Sequence, residues 1–279
     1  MKIKYLGTAA AEGWPALFCD FPSCQMAREL GGKNIRTRAQ AVVDGRLLID
    51  FGPDTYLHVI RDGLKLHEIN HCIVTHGHCD HFYATDLMMK ARPYAQSGSA
   101  APFHVYGTKR IGELYKRMRD VDDDCENLDD CVKLSEIYPF QPFSVLNYRV
   151  TPLRAAHDPA ECCLIFLIED EAGKTLLYGN DTAYFPEETW EQLRGRRLDL
   201  VSLDCTMGIL GDGATHMGWN GDVRTKERLE AMGCVHDNTV FILNHFSHNC
   251  GHGLSHEEME ALAAPKGFLV ACDGFTAEV

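Results

Sequence analysis

Apolar positions at the start of the chain come in short runs broken by glycine: Ile3 to Leu6 ahead of Gly7, Ala41 to Val43, and Leu47 to Ile49. Runs this short, bounded by turn residues, predict strands. Between the second and third, Asp44-Gly45 favours a hairpin because both residues tolerate positive φ, so the sheet is expected to begin antiparallel. Later runs have the short, bounded, apolar character of buried strands: His71 to Thr75, Phe103 to Tyr106, Leu164 to Ile168, Thr175 to Tyr178, Leu200 to Leu203 and Thr239 to Leu243. Helices are predicted over Ile111 to Arg119, Pro186 to Leu193, Val223 to Met232 and Ser255 to Ala263. Proline suits a first helical turn, and Ser255 with Glu258 fits a capping box. The mixture is that of an α/β protein. With no internal repeat, low-complexity tract or long Pro/Gly/Ser linker, residues 1–279 read as a single domain of layered sheets and helices. The acidic stretch Asp120 to Asp130 is the least core-like and is expected to be a solvated loop or helix end.

At 45% hydrophobic and 24% charged, the composition is that of an ordinary soluble globular protein. No run approaches the roughly 18 apolar residues of a membrane span, and the start Met1-Lys2-Ile3-Lys4-Tyr5 has no apolar export segment, so a cytoplasmic location is expected. In that compartment the 12 cysteines are core thiols or metal ligands rather than disulfides. The net charge of −13 weighs against a nucleic-acid polymer as partner. A small anion in a metal-lined pocket is compatible with it, because there the ion supplies the positive charge. A homodimer, common among soluble enzymes of this size, is one assembly open to the chain.

The densest chemistry is Thr75-His76-Gly77-His78-Cys79-Asp80-His81, directly after an apolar run. Three imidazoles and a carboxylate at this spacing can serve neighbouring metal ions, with imidazole suited to Zn, Mn or Fe, and packing alone explains them poorly. His157, Asp181 and His245 each follow a strand-like run as well. Any one of them alone would pass for a cap or a surface residue, but together with the loop they bring the donors to the number two metal ions need.

With His76, His78, Asp80 and His81 in a His-x-His-x-Asp-His loop, the chain resembles the metallo-β-lactamase superfamily. Within it, the chain resembles the cyclic phosphodiesterase branch, close to the carbon–phosphorus lyase accessory phosphodiesterases (PhnP-like). The likeness runs from Leu6-Gly7-Thr8 and Gly13-Trp14-Pro15 to the region of Gly274. It implies a four-layer αββα sandwich holding two divalent ions, Mn or Zn with Fe as a further option. His76, His78 and His157 would bind one ion, Asp80, His81 and His245 the other, and Asp181 would bridge them together with a hydroxide. His216, in Thr215-His216-Met217-Gly218-Trp219-Asn220, falls where the branch places a general acid or phosphate donor. The implied catalytic set is therefore His216, Asp80 and Asp181, with Asp158 or Asn180 orienting the ligands. The branch also carries a structural zinc, of whose four ligands Cys19, Cys24 and His248 match three. Phe21 stands where the middle cysteine belongs, so Cys250 or another neighbour would complete the site.

The implied activity is hydrolysis of a small cyclic phosphodiester such as 5-phosphoribosyl 1,2-cyclic phosphate, with a small phosphorylated molecule as partner. Lactonases, thioesterases and tRNA 3′-processing endonucleases of the superfamily are alternatives, and a non-catalytic metal-binding protein is a further one. Cys72, Cys79, Cys162, Cys163, Cys205, Cys234 and Cys272 read as ordinary thiols. His58, His67, His71, His104, His236, His252 and His256 read as satisfied or solvated side chains. The backbone amides of Gly7 and Thr8 are candidate phosphate contacts.

Overall fold

Two seven-stranded sheets lie face to face in a computed structural model that describes residues 1–95, 101–122, 125–249 and 254–279. The first contains β1 (Lys2–Gly7), β2 (Gln40–Val43), β3 (Leu47–Ile49), β4 (His71–Ile73), β5 (Phe103–Gly107) and β6 (Val132–Glu136) in spatial order. The second contains β7 (Phe143–Val145), β8 (Tyr148–Arg154), β9 (Leu164–Asp170), β10 (Thr175–Gly179), β11 (Leu200–Asp204), β12 (Val240–Asn244) and β13 (Phe268–Val270), again side by side. The last strand, β14 (Thr276–Glu278), returns to the free edge of β1. As the Asp44-Gly45 pair predicts, β1, β2 and β3 are antiparallel, with Asp44 at φ 48° and Gly45 at φ 67°. From β3 to β6, and from β10 to β13, the strands are parallel. Loops leaving the carboxyl ends of β3, β4, β10, β11 and β12 can therefore converge on one rim of the sandwich.

Seven α-helices cover the outer faces: α1 (Pro22–Leu30), α2 (Thr55–Asp62), α3 (Lys109–Asp122), α4 (Leu128–Cys131), α5 (Glu187–Leu193), α6 (Trp219–Ala231) and α7 (His256–Ala263) among the described residues. Strand alternation decides the layers. Tyr5, Ile49, Ile73, Phe166, Tyr178 and Ile242 point between the sheets. On the far side of the first sheet, Leu48, Val74 and Val105 pack against Ile111, Tyr115 and Met118 of α3. On the far side of the second, Leu177, Val201 and Leu243 meet Trp190 and Leu193 of α5 and Leu229 of α6. The result is the four-layer αββα sandwich. No helix among the described residues is long and apolar enough to cross a membrane.

Boundaries shift where local chemistry outweighs pattern. Pro186 caps α5 from outside with ψ 153° instead of entering the first turn, whereas Ser255 and Glu258 form the reciprocal box at α7. In the acidic stretch, Asp120 to Asp122 close α3, and Asp129 in α4 pairs with Arg119. The pattern gives no sign of β8, because Pro152 sits in it; the proline is tolerated because β7 pairs only as far as Val150.

One contact ties the fold to the candidate site. Phe51 donates its N–H to the His81 carbonyl at 2.8 Å, and a Cβ on the next residue, Gly52, would lie 1.9 Å from the Asp80 carbonyl oxygen. Gly52→Ala should therefore destabilise the protein by about 1–3 kcal/mol, because backbone must move to admit the methyl group. Urea unfolding checks this, and an unchanged midpoint would contradict the close approach.

Candidate metal centre

The rim gathers all seven predicted donors. In one half, His76 Nε2 lies 2.9 Å from His78 Nδ1, which is 3.1 Å from His157 Nε2. In the other, His81 Nε2 lies 3.1 Å from Asp80 Oδ2, with His245 Nε2 on the same side. Asp181 Oδ2 belongs to both: it is 3.3 Å from His76 Nε2, 3.0 Å from His81 Nε2 and 3.6 Å from His245 Nε2. Apart from His78 and, less so, His157, these residues are buried.

The opposite ring nitrogens fix which atoms carry protons. His81 Nδ1 donates to Asp50 Oδ2 at 2.8 Å, His157 Nδ1 to the Thr215 carbonyl at 3.2 Å, and His78 Nε2 to Asp158 Oδ2 at 3.2 Å. Thr75 Oγ1 gives its proton to Asp50 Oδ1 and so accepts from His76 Nδ1. Thr206 Oγ1 likewise donates to the His245 carbonyl and accepts from His245 Nδ1 at 2.7 Å. Five imidazole lone pairs consequently face two carboxylates across one pocket, and the buried Nε2 atoms of His81 and His245 have no hydrogen-bond partner. Separations of 2.9–3.3 Å within the first half approach the ~3.3 Å edge of a tetrahedron whose donors lie about 2.0 Å from a common ion. The donor set fits two divalent ions sharing Asp181.

Charge tells the same story. Burial alone would lower the His81 imidazole, but Asp80, Asp50 and Asp181 hold it well above its ordinary value, so without a cation a proton takes that place. Burial, then His81 beside it, pushes His76 well down. Burial would raise Asp181, yet His245, His81 and His76 hold its carboxyl well below the usual carboxylate range. Asp50 (φ 67°), Asp181 (φ 57°) and His245 (φ 61°) all occupy the left-handed region just beyond β3, β10 and β12. That conformation costs about 1–3 kcal/mol per residue and persists only where the surroundings enforce it.

His216 joins the rim, its Nδ1 3.1 Å from both Asp204 Oδ2 and Asp181 Oδ1. Burial would lower it, but the hydrogen bond and charge of Asp204, with Asp181 behind, push it up to about 9. Asp50 and Asp204 are the functional carboxylates that the sequence reading passed over; each follows an apolar strand, the signal that marked Asp181. Of the two residues expected to orient ligands, Asp158 does so, whereas Asn180 accepts a hydrogen bond from Ser202 Oγ at 3.0 Å. The Thr8 amide is spent on the Thr37 carbonyl and is not offered to phosphate, and a Cβ at Gly7 would lie 2.0 Å from the Arg38 carbonyl oxygen. His58 is buried on Gln40 and Thr37 as a satisfied histidine, and buried His256 lies with Nδ1 2.9 Å from Arg36 and Nε2 3.0 Å from Glu260 Oε1.

A second donor group is the Cys19, Cys24 and His248 set, whose ligand atoms lie within 4.8 Å of one another. Cys24 Sγ is 3.4 Å from His248 Nδ1, and each sulfur accepts a backbone N–H, from Phe21 to Cys19 and from Ala16 to Cys24. Phe21 is two-thirds exposed. Cys250 and His252 lie outside the described residues.

Residues 45–246 match the family model of the beta-lactamase superfamily domain. Ribonuclease Z of Staphylococcus epidermidis is 26% identical over 111 residues, 40% of this chain and 32% of that protein. Coenzyme PQQ synthesis protein B of Methylobacterium radiotolerans is 26% identical over 166 residues, 55% of this chain and 52% of that protein. The chain thus spans about a third to a half of the length of these relatives. Among solved structures, a diphosphatase from the PhnP family is similar with a TM-score of 0.76 at 22% identity, covering 100% of this chain and 97% of that one. Zinc-bound PqqB from Methylobacterium extorquens is similar with a TM-score of 0.72 at 22% identity, over 100% of both chains.

Asp50 contacts both Thr75 and His81, so Asp50→Asn should weaken binding of zinc by about 10–100-fold, the usual cost of losing a carboxylate behind a metal-bound imidazole. Competition with a chromogenic chelator reads this directly, and wild-type affinity would deny Asp50 that role.

Proposed function

The chain belongs to the metallo-β-lactamase superfamily, and on that basis we propose that it is a metal-dependent phosphodiesterase acting on a small cyclic phosphodiester such as 5-phosphoribosyl 1,2-cyclic phosphate. The observation that carries the reading is Asp181 Oδ2 shared by two sets of histidines, with the Asp204–His216 pair alongside. His76, His78 and His157 would hold one ion, Asp80, His81 and His245 the other, with Asp181 common to both. When bound, the ions supply Lewis-acid charge for the phosphoryl oxygens and a water acidic enough to attack at neutral pH.

The chain's own residues do the rest. Asp80 and Asp181 bring only two negative charges to a site that would hold two divalent ions, so the loaded pocket would stay positive for an anionic substrate. Asp204, fully buried, holds His216 Nδ1 and favours the protonated imidazole, so Nε2 is the atom that would give a proton to the leaving oxygen. The PhnP-family diphosphatase and ribonuclease Z among the similar proteins support chemistry at phosphorus. The charge of −13 weighs for a small substrate over an RNA polymer. Cys19, Cys24 and His248 are read as three ligands of a structural zinc.

Phosphorus NMR of metal-loaded protein with 5-phosphoribosyl 1,2-cyclic phosphate and a 2′,3′-cyclic nucleotide in one tube tests the reading. Loss of the first signal is expected, with Asp181→Asn inactive. His216→Ala should keep both ions and lose about 100-fold or more in rate. If both ions are bound and neither signal changes, the phosphodiesterase reading fails, and lactones and thioesters are the next substrates. Separately, Cys24→Ser should lower zinc content and thermal stability; unchanged values would remove the structural zinc.

A further inference from the structure

The loop between β11 and α6 carries His216 and is anchored beside it by Met217, which is fully buried in the core. It is closed by a short turn, in which Gly213 N–H donates to the His216 carbonyl at 2.9 Å. Met217 N–H donates to the Thr182 carbonyl at 3.0 Å, next to Asp181. At its far end the loop meets the amino terminus of α6, where Gly218 has no side chain to cap the helix. Asp212 takes that place from within the loop. Its Oδ1 accepts N–H donors from Gly218 at 3.1 Å and Gly221 at 2.7 Å, and its negative charge complements the helix dipole. Gly218 is wedged in, since a Cβ there would lie 2.7 Å from the carbonyl oxygens of both Gly208 and Gly211.

Two groups of the centre depend on where this loop sits. His216 reaches Asp204 and Asp181 from it, and the Thr215 carbonyl takes the Nδ1 proton of the metal-site residue His157. Their rings lie 4.8 Å apart in an edge-on arrangement, so a shift of the loop moves both.

We propose that Asp212 is a positioning residue: by clamping the loop to the first turn of α6 it sets His216 for proton delivery and, through the Thr215 carbonyl, aligns His157 toward its metal ion. The part concerning His216 rests on the hydrolytic reading above; the part concerning His157 rests only on the metal site.

The test compares Asp212→Ala, Asp212→Asn and Gly221→Ala in the full chain. The last introduces a Cβ that would lie 2.5 Å from Asp212 Oδ1 and so displaces the clamp without removing its charge. Each is loaded with Co(II), and its visible absorption, kcat, KM and urea midpoint are measured. Asp212→Ala and Gly221→Ala should alter the Co(II) bands and lower kcat about tenfold or more with KM moved less than about twofold. Asp212→Asn should restore both readouts, because an amide oxygen accepts the same two N–H groups. Native bands and kcat in Asp212→Ala would overturn the proposal. So would equal impairment in Asp212→Asn, which would assign the effect to charge alone. If the wild-type protein hydrolyses no phosphodiester, the hydrolytic reading fails and the Co(II) bands decide for Asp212: altered in Ala and restored in Asn sustains it, unaltered in Ala overturns it. If Asp212→Ala does not fold, Gly221→Ala and Asp212→Asn carry the same comparison.

Discussion

Five imidazole lone pairs and two carboxylates cannot share one buried pocket without positive charge inside it. Most of the surrounding architecture answers that constraint. The far nitrogen of each imidazole is held by an oxygen, from Asp50, Asp158, Thr75, Thr206 or the Thr215 carbonyl, so that the near nitrogen is left to face the pocket. Asp50 serves two of these roles at once, supporting His81 directly and His76 through Thr75. With Asp80 and Asp181, Asp50 also holds the His81 imidazole well above its ordinary value, which favours a proton there when no ion is bound.

The sandwich supplies the precision. Parallel runs in both sheets send their carboxyl ends to one rim, and three residues at or near strand ends, Asp50, Asp181 and His245, turn sharply there with positive φ. Such turns cost free energy that the core of Phe166, Tyr178, Ile242 and their neighbours offsets by burial. Gly52 lets the β3 and β4 loops touch backbone to backbone, so the ligand loop is positioned by the sheet itself rather than by side chains that could shift.

The donors were legible because their residue types are rare in a strand-end loop and four of them occur within six positions. His157, Asp181 and His245 were legible only in company, as each alone has the sequence context of an ordinary cap. Asp50 and Asp204 share that context and lack neighbouring histidines in the chain, so nothing local separated them from structural aspartates; their partners, His81 and His216, are 31 and 12 residues away. Asp212 is hidden for the same reason, since its hydrogen bonds reach backbone amides that carry no sequence signature. Strand β8 was masked by Pro152, which pattern reading treats as a strand breaker but which lies beyond the end of the neighbouring β7.

The ribonuclease Z, PqqB and diphosphatase likenesses agree on the fold while differing in what those proteins are named for, so the pocket rather than the sandwich has to carry the functional claim. The most direct test is anomalous diffraction at the zinc absorption edge on zinc-soaked crystals. Two peaks at the rim, one among His76, His78 and His157 and the other among Asp80, His81 and His245 with Asp181 between them, are the predicted result, counted apart from any peak at Cys19, Cys24 and His248. A single rim peak, or none at saturating zinc with the imidazoles intact, would contradict the account.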